Sequence, residues 1–289
     1  MANQRLDVQM SWWAMDNLSE ADRGQLTVER KVQMIAEGGF DGINGFLLKP
    51  EEADEWFDRL ERYGLSFSLN AYPSSVEDLK IFLEKAATLR RADFVNMQVL
   101  KPFAVGEEAL TLLRGLDEVA RETGIPAFVE THRGTVTQDL IRTAEFVEVL
   151  PDLRLTIDYS HYVVAGELHS ISPEAENWLG KLLPRTSSIH TRISNGEQIQ
   201  IDGGVGDDKG EHPMVAHFAR WWKEGMRHWR ADPANEGRTF PVVIELGPPS
   251  YAITTDELGA RTQEVSDRWR QSLYLMQLVR KQWAELELE

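Results

Sequence analysis

Short apolar runs alternate with longer amphipathic stretches from one end of the chain to the other. The short runs are DVQMSWW (7–13), GINGFLL (42–48), LSFSLNAY (65–72), FVNMQVL (94–100), PAFVETH (126–132), LRLTIDY (153–159), SSIHTRI (187–193) and PVVIEL (241–246), eight in all. Their length and composition predict short buried strands. Between them, VERKVQMIAEGG, EEADEWFDRLERYG, VEDLKIFLEKAATLRR, EEALTLLRGLDEVARETG and TQDLIRTAEFVEVLP place apolar residues at helical spacing. Several of these end in Gly or Pro, the usual stop signals.

Strand and helix alternating throughout, with no Pro/Gly/Ser-rich linker, predicts one parallel sheet wrapped by helices, and eight repeats close a barrel. The expected fold is therefore α/β, a single (β/α)8 barrel spanning residues 1–289 and ending in a long C-terminal helix. At 289 residues the chain suits one such barrel of about 250 residues with insertions. A doubly wound open sheet is the rival, but no GxGxxG follows the first strand. Residues 256–289 read as the final helix, with Trp269, Leu273, Leu275, Met276, Leu278 and Trp283 available for packing. Long loops are expected at about 194–213 and 230–240, and glycine-rich residues 202–210, GVGDDKG among them, as a segment folding over a ligand. The Trp-rich helix around 214–230 is a candidate subunit contact in a homo-oligomer.

Composition narrows the function. Apolar residues make up 42% and charged residues 27%, ordinary for a globular protein with a sizeable core. A formal net charge of −16, with no Lys/Arg stripe, argues against nucleic acid as partner. No segment approaches the roughly 20 apolar residues needed to span a bilayer. The start, MANQRLDVQM, lacks the pattern of a secretion signal, so the expected location is cytoplasmic. With no cysteine, any site must use oxygen and nitrogen.

In a barrel of this kind the site gathers at the C-terminal ends of the strands. Four ligand-type residues stand there on consecutive units: Glu130 in AFVETH, Asp158 in LTIDYS, His190 in SSIHTR and Glu245 in VVIELG. Taken singly, an acid at a strand end is more often a helix cap or a salt-bridge partner, and a lone histidine is usually a satisfied bystander. Their joint occurrence points to one divalent ion held by three carboxylates and an imidazole, a hard set suiting Mn²⁺, Mg²⁺ or Co²⁺, with Zn²⁺ also compatible. An ion would account for Asp158 at the end of a buried strand, where an unpaired acid is costly.

His161 lies three residues past Asp158, and His132 and Arg192 each lie two residues past a proposed ligand, so all three are candidate contacts to substrate oxygens. Adjacent residues Trp12 and Trp13 point to opposite faces, one toward the core and one, for which Trp13 is the candidate, toward a sugar ring. Asn70 and Gln98 are candidates for hydroxyl contacts, and Lys101 for neutralising an oxyanion. His169, His212, His217 and His228 read as ordinary.

The series Glu130, Asp158-x-x-His161, His190, Glu245 resembles the xylose isomerase-like TIM barrels, which include ketose 3-epimerases, inosose dehydratases and endonuclease IV. By that resemblance Glu130, Asp158, His190 and Glu245 bind one metal and the two glutamates exchange the substrate proton. His161 and Arg192 then hold substrate oxygens. Where endonuclease IV needs further histidines for a zinc cluster, this chain has Asn70 and Gln98, which argues against a nuclease. His132, in ETHRG, departs from the epimerase pattern and suits elimination as well as epimerisation. The resulting expectation is a metal-dependent sugar isomerase or epimerase acting by proton abstraction beside a carbonyl, through a metal-stabilised enediolate. A keto-sugar lyase or dehydratase is the alternative, and a silent carbohydrate-binding barrel a third reading.

Overall fold

The computed structural model describes residues 4–20, 24–89, 92–204 and 210–289. Eight parallel strands close a barrel: β1 (Arg5–Ser11), β2 (Gly42–Gly45), β3 (Ser66–Ala71), β4 (Val95–Met97), β5 (Ala127–Glu130), β6 (Leu155–Ile157), β7 (Thr186–Thr191) and β8 (Thr239–Ile244). Each pairs with its neighbours in sequence, and β1 closes the ring against β8 with Val8 opposite Val242 and Met10 opposite Ile244. Every predicted apolar run overlaps one of these strands, and β1, β7 and β8 begin one or two residues before their runs. Several are shorter than their runs because the last residues of each run turn out of the ladder at the barrel mouth.

The helices are α1 (Val28–Glu37), α2 (Pro50–Tyr63), α3 (Val76–Leu89), α4 (Gly106–Thr123), α5 (Leu140–Val149), α6 (Ser160–Ala165), α7 (Pro173–Gly180), α8 (Met214–Ala231) and α9 (Arg268–Glu287). Local chemistry sets their ends. Thr27 caps α1 by accepting from the Arg30 amide, and Asp139 caps α5 by accepting from that of Arg142. Gly64 and Gly124 end α2 and α4 in the left-handed conformation, at φ 67° and 72°.

The final helix is shorter than the sequence pattern predicts. It starts at Arg268 because the Asp267 side chain accepts from the Arg270 amide and caps it there. Residues 256–267 instead form turns, with Thr254 bridged to Glu264. The connection expected at 230–240 also contracts. Helix α8 continues to Ala231 and β8 begins at Thr239, with a 3-10 turn at Pro233–Asn235 between them. Residues 194–204 and 210–213 have no helix or strand, and Gln271 of α9 anchors them by accepting from the Gly203 amide at 3.1 Å. Residues 205–209 of the glycine-rich segment lie outside the described residues. The tryptophans proposed for a subunit contact are used within the chain: Trp221, Trp222 and Trp229 are buried, and Trp229 packs on Phe240 and Trp283.

Alternation along the strands sorts side chains to two sides of the barrel wall. Val8, Met10, Ile43, Leu69, Val95, Val129, Leu155, Ile189, Val242 and Ile244 are buried with the apolar faces of the helices. The intervening residues, among them Gln9, Asn44, Ser68, Asn70, Asn96, Thr156 and Ser188, are buried and polar. They face the barrel interior, because Ser68 of β3 donates to Gln9 of β1 across the intervening β2. Hydrogen bonds tie Gln9, Asn44, Ser68, Asn70 and Asn96 together on the β1 to β4 side of the interior, and a low-dielectric setting makes such bonds costly to leave unmade.

Gly42 leaves room for this arrangement. A Cβ there would stand 1.8 Å from the Ser66 hydroxyl and 2.7 Å from the Ser66 carbonyl, and that hydroxyl bonds Asp7. Gly42→Ala is expected to lower stability by about 1–3 kcal/mol, the usual range for overpacking, in a urea titration.

Candidate metal centre

At the C-terminal mouth, strand ends bring together three buried carboxylates. Glu130 ends β5, and Asp158 and Glu245 each directly follow the last residue of β6 and β8. Thr131 locks two of these ends together: its hydroxyl accepts from the Asp158 amide at 2.8 Å and donates to the Asp158 carbonyl at 3.0 Å. Glu130 and Asp158 have no exposed surface and Glu245 is 6% exposed, so their charges require partners.

Two basic residues of β7 and its exit supply them. Arg192 donates from Nη1 to Asp158 Oδ2 and from Nη2 to Glu245 Oε2, both at 2.7 Å, and from Nε to the Glu245 carbonyl at 3.0 Å. His190 Nδ1 lies 3.4 Å from Glu130 Oε1 and 3.3 Å from Glu245 Oε2. Burial disfavours a charged imidazole, but Glu245 and Glu130 outweigh it and raise the His190 pKa to about 10. Burial likewise opposes ionisation of Glu130, but the His190 charge, with further help from His132 and Asn96, holds its carboxyl well below the usual range. Glu245 is lowered for similar reasons, His190 and then Arg192 overcoming its burial. Asp158 is raised by burial, with Arg192 opposing and the other two carboxylates adding to the rise.

Donor atoms of Glu130, His190 and Glu245 all lie within 4.8 Å of one another. This oxygen and nitrogen set suits a divalent ion, and Glu130 Oε1 is buried without a hydrogen-bond partner among the described residues. The residues therefore fit a metal in place of the proton on His190 Nδ1, which lies 3.3 Å from Glu245 Oε2 and 3.4 Å from Glu130 Oε1. Asp158 stands outside that set. Its Oδ1 accepts from the Ser160 amide and hydroxyl at the start of α6 and its Oδ2 from Arg192, so its burial is supported by a cap and a cation belonging to the chain.

Glu130, His132 and His161 also offer donor atoms within 4.8 Å. Hydrogen bonding gives these histidines a different part. Guanidinium can only donate, so Arg192 Nη1, 3.2 Å from His161 Nε2, makes that nitrogen an acceptor. Burial, with His132 and Arg192 adding to it, pushes the His161 pKa well below normal, so the ring is neutral and its proton resides on Nδ1. That N–H finds no partner among the described residues. His132 lies against it, ring centroids 3.8 Å apart, with Nδ1 2.5 Å from the Arg133 carbonyl and Nε2 3.4 Å from the Tyr251 hydroxyl.

Beside these groups is a cavity of about 190 Å³ lined by Trp13, Phe46, Asn70, Tyr72, Gln98, His132, Arg192, Glu245 and Tyr251. Trp12 turns away to pack edge-on against Trp56, whereas Trp13 packs against Tyr251 and lies over Gly247, where a Cβ would enter its ring at 2.1 Å. Lys101 is exposed and is not among the lining residues. A larger groove of about 1130 Å³ opens on the opposite face, beside Arg5, Asp7, Asp41, Asp93 and Arg154. None of the mouth residues lines it.

Sequence reading missed Tyr251, Tyr72, Phe46 and Asn96. Asn96 had a visible signal, a polar residue inside the apolar run FVNMQVL. Tyr251 had none, since it reaches the site from an irregular loop six residues beyond Glu245. There it is flanked by the guanidinium groups of Arg192, 4.8 Å from its ring centre, and Arg133, at 5.1 Å.

The His190 proton and a metal compete for one place, so binding is expected to release about one proton per Mn²⁺ below pH 10 and to strengthen up to about tenfold per pH unit between pH 7 and 9. Calorimetry in buffers of different ionisation heat measures the release. Uptake with no proton release would remove His190 from the ligand set.

No protein-family model and no curated protein matches the sequence. The fold matches solved structures over nearly its whole length. A xylose isomerase-like TIM barrel protein from Mycobacterium smegmatis, solved in complex with magnesium, superposes with a TM-score of 0.60 at 15% identity, covering 97% of this chain and 98% of that one. The probable 3-DHS dehydratase AsbF from Bacillus anthracis gives 0.57 at 13% identity over 94% and 98%. A xylose isomerase domain protein from Planctomyces limnophilus gives 0.55 at 13% identity over 99% of both chains. At these identities the likeness is one of architecture: with the closed eight-strand parallel barrel, it shows that this chain shares the TIM-barrel fold of these structures.

Proposed function

We propose that the protein is a divalent-metal-dependent enzyme that removes a proton beside the carbonyl of a small keto-sugar or related polyol, as a sugar isomerase or epimerase. The observation that carries this reading is the meeting of Glu130, His190 and Glu245 beside a cavity of about 190 Å³, on the scale of one small polyol. A bound ion would supply Lewis-acid stabilisation of the negative charge that develops on the carbonyl oxygen.

The chain's own residues divide the remaining work. Glu245 lines the cavity with Oε2 fixed by Arg192, leaving Oε1 to accept the substrate proton. His161, neutral and with its tautomer set by Arg192, stands behind the cavity lining against the His132 ring, and its Nδ1–H is the proposed donor to a substrate oxygen. Asn70 and Gln98 present amides to hydroxyls, and Trp13 and Tyr251 form the apolar wall that limits water. The chain's acidic balance, −16 overall, fits a small-molecule substrate better than a nucleic acid.

The contact between His132 and Tyr251 favours a second reading, β-elimination by the same site, because it places an acid/base pair beside the cavity to protonate a departing hydroxyl. One experiment separates the two. Protein stripped by a chelator and reloaded with Mn²⁺, Mg²⁺, Co²⁺ or Zn²⁺ is incubated with keto-sugars and cyclic polyols in D₂O. Deuterium in a recovered epimer or isomer is the expected result, and an unsaturated product assigns elimination. Turnover that ignores metal removal rejects both.

A further inference from the structure

Glu130 is fixed from below by a ladder of amides that no metal-ligand pattern requires. Its Oε2 accepts from Asn96 Nδ2 at 2.6 Å and from Gln98 Nε2 at 3.0 Å. Asn96 Nδ2 also donates to Asn70 Oδ1 at 3.1 Å, Asn70 Nδ2 to Asn44 Oδ1 at 2.6 Å, and Asn44 Nδ2 to the Ser68 hydroxyl at 2.9 Å. The Ser68 hydroxyl donates to Gln9 Oε1, and Gln9 Nε2 donates to Asp7 Oδ2 at 2.7 Å. Asn44, Asn70, Asn96 and Glu130 stand on four successive strands, β2 to β5, all buried in the barrel interior.

The sense of this ladder is forced. A reversed Asn96 amide would press Oδ1 against the Glu130 carboxylate and leave two acceptors facing each other. With Nδ2 held toward Glu130, the remaining N–H goes to Asn70 Oδ1, which fixes Asn70 and then Asn44 in turn. Asp7 imposes the same direction from the far end, because a carboxylate can only accept. Asn96 is the point from which donors run both ways. Its Oδ1 has no partner among the described residues, so both of its bonds are donations.

We propose that Asn96, oriented by Asn70 and Asn44, is a positioning residue that clamps Glu130 Oε2 and thereby directs Oε1 to the metal position between His190 and Glu245. The inference rests on the reading of Glu130, His190 and Glu245 as a metal centre. Glu130 Oε1 is the oxygen beside His190 Nδ1 and lacks a hydrogen bond, whereas Oε2 already has two. Rotation of the carboxylate would break both amide bonds, so the clamp holds the ligand atom in place before any ion arrives. Residues that orient a ligating group commonly change metal affinity by about 10–100-fold.

The test measures Mn²⁺ affinity of the full chain by electron paramagnetic resonance of the free ion, alongside the thermal midpoint. Asn96→Leu, close in size and without donors, is expected to weaken Mn²⁺ binding by about 10–100-fold. Asn70→Leu leaves the Asn96 donors in place but frees that amide to turn, and a smaller weakening is expected; it also serves if Asn96→Leu does not fold. A variant that loses thermal stability but binds Mn²⁺ with wild-type affinity overturns the clamp and leaves the metal centre standing. Wild-type protein that takes up no Mn²⁺ overturns the centre and the clamp with it.

Discussion

Three carboxylates crowded into the mouth of a barrel cannot all stay ionised without positive charge among them, and Arg192 supplies the part that never titrates. Its three nitrogens reach Asp158, Glu245 and the Glu245 carbonyl, so one side chain ties the exits of β6, β7 and β8 together. The same guanidinium fixes the His161 tautomer. Removing one member of a buried ion pair typically costs about 3–5 kcal/mol, because the charge left behind remains buried. The geometry of the site is thus set by an internal cation, and a divalent ion binding there would enter a constellation already shaped.

Arg192 leaves a second position, between Glu130 and Glu245, to a charge that can be exchanged. His190 fills it with a proton whose pKa lies near 10, and the same imidazole nitrogen is the one placed to bind a metal. This division gives the site a permanent framework and a replaceable centre. It also separates the carboxylates by role: Asp158 is consumed by Arg192 and Ser160, Glu130 is clamped and hidden, and Glu245 faces the cavity.

Beneath the mouth, the barrel uses polar interior residues where an apolar filling is more usual. Small and amide side chains allow hydrogen bonds to run between strands, and the absence of a Cβ at Gly42 leaves space for Ser66. The apolar stabilisation lies outside the wall, where strand residues such as Ile43 and Leu155 are buried with the helices.

How much of this was legible depended on how local the physics was. Short apolar runs and glycine stops mark strands and helix ends within a few residues, so eight strands, their order and most of the longer helices could be read from the chain, whereas the short helices α6 and α7 were not. Barrel geometry then places strand-end residues at one mouth, which was enough to single out Glu130, Asp158, His190, Glu245 and Arg192 for attention. The sequence could not show that Arg192, rather than an ion alone, accompanies Asp158, because that choice depends on the distance between side chains on different strands. Nor could it reveal the Asn44–Asn70–Asn96 ladder, the approach of Tyr251 or the exposed setting of Lys101, which depend on stagger between strands and on the path of irregular loops. Hydrophobic patterning determined the architecture because burial is tied to local periodicity; pairing among buried polar groups was decided only when the barrel closed and each donor met the acceptor within reach.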